Sequence, residues 1–220
     1  MLNPRPSGES RAANDGAVCP RCTLEVMSSP GKSHSWTCPH HGDIDPLLPA
    51  AAFAPQTMAQ LFGGRVPAWL PWPLPTGWSV SGLRWTHDGV RYPRAVAVAC
   101  TGPGPFGGLA ELVLVAEEPG VGLGARYAGL DLTDPGPDLS RLAPDTRIRA
   151  GGRPTPMWCL PEITDRVVYV GEAAGSWLWA SAWPADAWTV IHDDLTLIDL
   201  RDPGLAYEVP AGDISAHLRQ

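Results

Sequence analysis

The sequence has little positive charge and no long apolar run, and each shortage excludes a class of protein. Lys32 is the only lysine, and 16 basic residues face 23 acidic ones, for a net charge of −7. Because nucleic-acid binding needs a basic surface to displace counterions from phosphates, we expect no nucleic-acid partner. No apolar run reaches the ~18 residues of a membrane span, and residues 1–16 lack the apolar segment of a secretory signal. We therefore expect a cytoplasmic protein without membrane contact, and a disordered tail over residues 1–16.

Long helical patterns are also missing, whereas turn-forming residues are abundant. The 220 residues include 24 glycines and 25 prolines, which interrupt most segments and favour short strands joined by turns. We predict a mainly β chain, with α+β possible: a small N-terminal zinc ribbon (17–45), a Pro/Trp-rich connector (46–76), and a β-rich main domain (77–220) that forms an antiparallel β-barrel or a curved sheet. Strand-like segments of the main domain are 78–86, 94–100, 111–116, 125–130, 166–172, 176–183 and 189–200, and 166–183 is predicted to be a hairpin.

Three of the five cysteines and one histidine have the spacing of a zinc site. Cys19 and Cys22 are separated by two residues, as are Cys38 and His41, with fifteen residues between the pairs. Each pair forms a tight turn that directs both ligand atoms to one side, and two such turns complete a tetrahedron around zinc. Four protein ligands leave no position for a catalytic water, so we predict a structural zinc ion.

Two other histidines compete for the fourth ligand position. His34 and His40 both lie near the second pair, but His41 is preferred because it reproduces the two-residue gap. The predicted ribbon contains only Arg21 and Lys32 as basic residues, against three acidic ones, so it does not attract phosphates. These residues favour a structural role or a contact with another protein.

Four segments of the sequence are distinctive in combination. They are Cys-Pro-Arg-Cys at 19–22, Val-Pro-Ala-Trp-Leu-Pro-Trp-Pro-Leu-Pro-Thr-Gly-Trp at 66–78, Ala-Cys-Thr-Gly-Pro-Gly-Pro-Phe-Gly-Gly at 99–108, and the segment 111–129 with its Gly-Val-Gly-Leu-Gly core. With these segments the chain resembles an uncharacterised actinobacterial family of unknown function with an N-terminal zinc ribbon. The resemblance covers nearly the whole chain beyond the tail, and it implies a lineage and a compartment but no catalytic residues.

Two glycine-rich segments invite a nucleotide-binding interpretation that their chemistry opposes. In 102–108, Pro103 and Pro105 lack the N–H groups from which a phosphate cradle is built, so a turn between strands is favoured. Residues 122–129 contain only a fragment of a dinucleotide fingerprint, without a long helix to follow it. Cys100 ends an apolar strand, and we expect it to be buried and unreactive.

Tryptophan is the most informative remaining feature. Trp177, Trp179 and Trp183 share one face of a predicted strand by their period of two. Such a row is either a stacking platform for a sugar, a base or a proline-rich peptide, or part of the core; the core is favoured, with the proline-rich segment 67–75 docked onto it. His192, followed by two aspartates, could ligate a metal, although a solvated turn is favoured.

Together these features predict a zinc-binding accessory or regulatory protein that acts by binding an unidentified protein or small ligand, with no catalysis identified. The alternative is an enzyme or a small-molecule-binding domain with a pocket near 100–108 and 123–129. A polar pocket with converging histidine and acidic side chains would favour that alternative.

Overall fold

The computed structural model describes residues 16–28, 35–88, 92–136, 139–161, 163–202 and 208–219. Apart from Gly16, the tail predicted over residues 1–16 lies outside these ranges. Across them, every helix is too short or too polar to cross a membrane.

Strands dominate the fold and form two sheets, as the sequence predicted. The small sheet is antiparallel and contains β1 (Met27–Ser28), β2 (Trp36–Cys38) and β3 (Gly42–Ile44). The large sheet has nine strands, curls into a half-barrel and follows the order β4-β12-β8-β9-β10-β11-β7-β6-β5. Its strands are β4 (Trp69–Pro71), β5 (Ser79–Trp85), β6 (Ala95–Pro103), β7 (Leu109–Glu117), β8 (Thr146–Ala150), β9 (Arg153–Cys159), β10 (Val167–Ala173), β11 (Ser176–Trp183) and β12 (Thr196–Asp199).

The large sheet is curved and open, and it is not purely antiparallel. β12 pairs in parallel with β8, through Thr196 opposite Arg149 and Leu197 opposite Ala150. After β11 the chain crosses to the other side of the sheet, where β12 runs parallel to β8. Local sequence patterns do not predict this crossover. The predicted hairpin is confirmed: β10 and β11 pair over their full length around a tight turn at Ala174 and Gly175, both with positive φ.

The helices are short and explain two errors of the strand prediction. The described helices are α1 (Pro55–Ala59), α2 (Leu123–Ala128), α3 (Ala216–Arg219) and the 3-10 segments Leu139–Arg141 and Ala185–Val190. The strand predicted at 125–130 is wrong because α2 occupies this segment, bounded by Gly122 and Gly129 in left-handed conformations. The strand predicted at 189–200 is limited to β12.

The strand prediction missed β8 and β9, and prolines explain the second omission. β9 contains Pro154 and Pro156, which cannot donate to a neighbouring strand. The prolines are tolerated because β9 pairs with β10 only from Met157 onward, beyond both of them. β8 precedes β9 and pairs with it directly. It contains no proline, and three of its five residues are threonine or arginine, so it has no apolar run to mark it as a strand.

Apolar side chains cover both faces of the large sheet. The large core, on one face, includes Trp69, Leu83, Leu114, Leu178 and Leu197. The second core, on the other face, includes Ala97, Val115, Leu123, Val170 and Trp179.

The proline-rich segment 67–75 docks on a different surface from the one predicted. It forms the edge strand β4, and Trp69 is 3% exposed within the large core. The tryptophan row of β11 belongs to the second core, on the opposite face, where α2 covers it. The prediction that segment 67–75 docks onto the tryptophan row is therefore wrong. The alternation of side chains along β11 defines the two faces of the strand, but it does not determine which segment packs against each face.

Candidate metal centre

Four ligand atoms from the two N-terminal turns converge on one point. Sγ of Cys19, Cys22 and Cys38 and Nδ1 of His41 all lie within 4.8 Å of one another. Cys19 Sγ and Cys38 Sγ are each 3.5 Å from His41 Nδ1, and Cys22 Sγ is 3.6 Å from Cys38 Sγ. Zinc bonds of about 2.3 Å to sulfur and about 2.0 Å to nitrogen imply tetrahedral edges of roughly 3.8 Å between two sulfurs and roughly 3.5 Å between sulfur and nitrogen. These three distances are close to the edges of a tetrahedral site, and the four atoms could together hold a metal ion.

Backbone geometry explains how each turn presents its ligands. In the first turn, the Cys19 carbonyl accepts the Thr23 N–H at 3.0 Å, and Thr23 has a φ of 61° that closes the turn. In the second, Cys38 ends β2 and pairs with Gly42 at the start of β3. Gly42 has a φ of 67°, a conformation that glycine adopts without steric cost. His41 therefore sits in the tight turn between the two strands.

Burial and hydrogen bonds shift the pKa values of two candidate ligands in opposite directions. Burial raises the pKa of Cys19 to about 12, despite hydrogen bonds from the backbone of Arg21 and Cys22. Burial acts in the same direction on Cys38, but hydrogen bonds from the backbone of His40 and from His41 outweigh it and lower the pKa of Cys38 to about 6. A buried thiol such as Cys19 loses its proton readily only when a cation compensates the thiolate, and a metal ion with affinity for sulfur and nitrogen could do so.

The competing histidines do not join the cluster where the structure describes them. His40 is exposed, and its ring centre is 6.3 Å from that of His41. His34 lies outside the described residues. His41 is therefore the histidine whose placement agrees with the two-residue spacing.

The first metal turn also contacts the loop between β7 and α2, a relationship that the sequence did not reveal. Arg21, between the first two cysteines, donates its Nε–H to the Val121 carbonyl at 3.0 Å and an Nη2–H to the Gly120 carbonyl. A second link joins Arg94 Nη1 to Asp45 Oδ2 at 2.8 Å. Arg21 is committed to backbone carbonyls about one hundred residues away, and no local pattern could have assigned that role to it.

The other predicted site residues are dispersed. Trp177 is half-buried, Trp179 is fully buried beneath α2, and Trp183 is 8% exposed, so the row is not one open platform. His192 lies in an exposed turn, where its Nδ1 accepts the Asp194 N–H at 3.2 Å. This arrangement agrees with the preferred interpretations of the row as core and of His192 as part of a turn.

One of the two segments of the alternative pocket lines a cleft, and the other forms a helix. Residues 101–103 line a cleft of about 720 Å³ with Trp183 and His217, whereas α2 packs on the second core. In this cleft His217 Nδ1 is 2.9 Å from Glu111 Oε2. Cys100 directly precedes residues 101–103 and is fully buried, as predicted. Its burial, and to a smaller extent the nearby charge of Glu111, raise the pKa of its thiol.

A buried carboxylate explains the second glycine-rich segment. Glu117 is fully buried at the end of β7 and accepts the N–H groups of Leu123 at 2.7 Å and Gly124 at 3.1 Å, at the start of α2. Burial raises its pKa to about 7, although these hydrogen bonds oppose the shift. A Cβ atom on Gly124 would lie 2.1 Å from Trp179 Cδ1. The glycines thus allow a capped helix to pack closely on tryptophan, which is a structural role.

A family model described as a family of unknown function (DUF6758) matches residues 14–218. Neither the curated proteins nor the solved structures include a match to this chain. The family match confirms the resemblance to a family of unknown function, and the actinobacterial lineage stays a prediction.

Proposed function

We propose, for a chain that belongs to the DUF6758 family, a zinc-binding accessory or regulatory role that is exercised by binding a protein or a ligand. One observation carries the metal assignment: three sulfurs and one imidazole nitrogen lie within 4.8 Å of one another, and three of the distances between them are 3.5–3.6 Å. A Cys₃His set favours zinc, and four protein ligands leave no coordination position for a substrate or a reactive water. This supports a structural ion.

The ribbon is too small to be stable through its apolar contacts alone. Its core contains few buried residues, among them Ala17 and Val26, and its strands are two or three residues long. In modules of this size the binding free energy of the metal becomes folding free energy. Zinc would therefore hold the turn that carries Arg21 against the loop of Gly120 and Val121, and so join the ribbon to the main domain.

Charge and thiol chemistry support the proposed partner class and compartment. All five cysteines are free thiols, and a Cys₃His site requires its three cysteines to stay reduced, so we place the protein in the cytoplasm. A net charge of −7 and the commitment of Arg21 to backbone carbonyls disfavour a phosphate backbone as partner. A protein or a small ligand remains as the proposed partner.

Metal analysis of the full chain, purified under reducing conditions without added metal, tests the proposal. We expect about one zinc ion per chain, as a single tetrahedral site requires. Cys38→Ser and His41→Ala should lose the ion because each removes a ligand, while the matched control His40→Ala should retain it.

Cobalt substitution adds a spectroscopic test, since tetrahedral thiolate coordination has strong visible absorption that an octahedral site lacks. Absence of zinc from freshly purified, reduced protein would refute the metal assignment. Loss of zinc from His40→Ala but not from His41→Ala would show that the fourth ligand is wrong.

A further inference from the structure

A second cleft, separate from the metal centre, lies at one end of strands β9, β10 and β11. Its volume is about 670 Å³, within the range of small-ligand sites. Trp177 on β11 lies directly opposite Glu172 on β10, and Trp158 on β9 lies opposite Val170. Directly opposed residues place their side chains on the same face, so Glu172 and Trp177 are neighbours in the lining of this cleft.

Hydrogen bonds hold both tryptophan rings at their polar edges. The Trp177 Nε1–H is donated to Asp134 Oδ1 at 2.9 Å. The Trp158 Nε1–H is donated to the Leu142 carbonyl at 2.9 Å. Both indole N–H groups are therefore used within the protein, and what the rings contribute to the cleft is aromatic surface.

The polar side chains that line the described cleft offer hydrogen-bond acceptors, and their only donors, the two indole N–H groups, are already used within the protein. Pro119 and Pro156 supply only apolar surface, and the carboxylates of Asp134 and Glu172 are acceptors when ionised. Asp134 already accepts internal hydrogen bonds, whereas Glu172 is exposed and has no partner in the described part of the chain. A sugar needs donors as well as acceptors, and an anion needs donors or cations, so this lining suits neither.

We propose that this cleft binds a small organic cation, an alkylated ammonium, against the rings of Trp158 and Trp177 with Glu172 as its counter-charge. Indole rings attract cations through their electron-rich faces, and quaternary ammonium ligands are recognised by aromatic residues in this way. The alkyl groups match the tryptophan and proline surfaces, and neither lysine nor arginine lines the described cleft to repel the charge. This assignment goes beyond the proposed zinc function and does not depend on it.

Choline is the probe, titrated into the full zinc-loaded chain and followed by the NMR signals of the indole N–H groups. The comparison ligand is 3,3-dimethylbutan-1-ol, which has the same shape without the charge. We expect choline to bind at least about tenfold more tightly than the neutral alcohol and to shift the signals of Trp158 and Trp177. Trp177→Ala should weaken choline binding at least about tenfold, and Glu172→Gln at least about fivefold.

Matched controls lie outside the cleft: Trp188→Ala removes an exposed tryptophan, and Asp186→Asn removes an exposed carboxylate. Both should bind choline as the unaltered chain does. Equal affinity for choline and its neutral analogue, or unchanged choline binding by Glu172→Gln, overturns the proposal; Glu172 is exposed, so its substitution leaves the fold intact. Zinc content is measured on the same samples. A chain that binds choline as expected but contains no zinc would contradict the metal assignment and leave the cleft proposal intact.

Discussion

Trp177 donates its indole N–H to Asp134 Oδ1 at 2.9 Å, and the same oxygen accepts the backbone N–H of Gly120 at 2.9 Å. The carbonyl of Gly120 in turn accepts a hydrogen bond from Arg21 in the metal turn. A continuous hydrogen-bonded path thus runs from the candidate metal centre to the aromatic cleft. The loop between β7 and α2 is therefore bonded to Arg21 on one side and to Asp134 on the other, although Arg21 lies about one hundred residues before it in the chain.

Removal of the shared acceptor should destabilise the protein. In Asp134→Ala, the N–H groups of Trp177 and Gly120 both lose their acceptor in a partly buried position, and we expect a loss of about 1–3 kcal/mol in the free energy of unfolding. Urea denaturation measures it. Asp131→Ala, at an exposed position nearby, should change stability by less than about 0.5 kcal/mol. Equal stabilities of the two variants would contradict a structural role for the Asp134 contacts.

Arg21→Ala should separate metal binding from domain contact. Arg21 is not a ligand, so zinc content should be unchanged, but the carbonyls of Gly120 and Val121 lose their donor. Loss of about 1 kcal/mol of local stability accelerates amide hydrogen exchange about fivefold in this loop. Exchange monitored by NMR or mass spectrometry tests this, with Arg65→Ala, an exposed arginine, as the control. Unchanged exchange would show that Arg21 does not hold the loop.

Gly124→Ala should be destabilising through packing. A Cβ atom at this position would overlap Trp179 Cδ1, and both residues are buried, so we expect a loss of about 1–3 kcal/mol. Thermal or urea unfolding measures the change. Gly152→Ala is an informative comparison, because its φ of 78° imposes only a backbone cost while its side-chain space is open. A neutral Gly124→Ala would mean that α2 does not pack closely on Trp179.

Glu117 should make stability depend on pH. Its pKa rises from the usual 4.5 to about 7 in the folded protein, mainly through burial. The folded state therefore binds the proton more tightly, so the contribution to stability is fully present below pH 4.5 and is lost as pH rises through about 7.

Across that window, the unaltered chain should lose stability relative to Glu117→Gln by an amount on the order of 3 kcal/mol. Urea denaturation at several pH values measures the difference. Glu172→Gln, which removes an exposed carboxylate, is the control. A difference between Glu117→Gln and the unaltered chain that stays constant with pH would show that Glu117 is not the responsible group.

Trp69→Ala should be costly but independent of the tryptophan row. Trp69 is buried in the large core, and emptying such a site costs about 3–5 kcal/mol. Trp177 packs on the second core, across the sheet, so a double-mutant cycle of Trp69→Ala and Trp177→Ala should show additivity within about 0.5 kcal/mol. A larger coupling energy would indicate that the two faces are not separate.

The sequence by itself determined the features that depend on neighbouring residues. The two-residue gaps before Cys22 and His41 set the reach of each metal turn, because a tight turn places side chains at that spacing on one side. The hairpin of β10 and β11 follows from alternating side chains around Ala174 and Gly175. The mainly β architecture follows from the many prolines and glycines, which limit the length of helices.

Only the tertiary structure decided what covers each surface. Alternation places Trp177, Trp179 and Trp183 on one face of β11, but it is compatible with any apolar partner, and α2 occupies the position expected for segment 67–75. Burial of Glu117 and the contact from Arg21 to Gly120 depend on chain crossings that local propensity does not encode. Contacts between residues about one hundred positions apart arise from packing of the whole chain, and a local sequence pattern does not specify them.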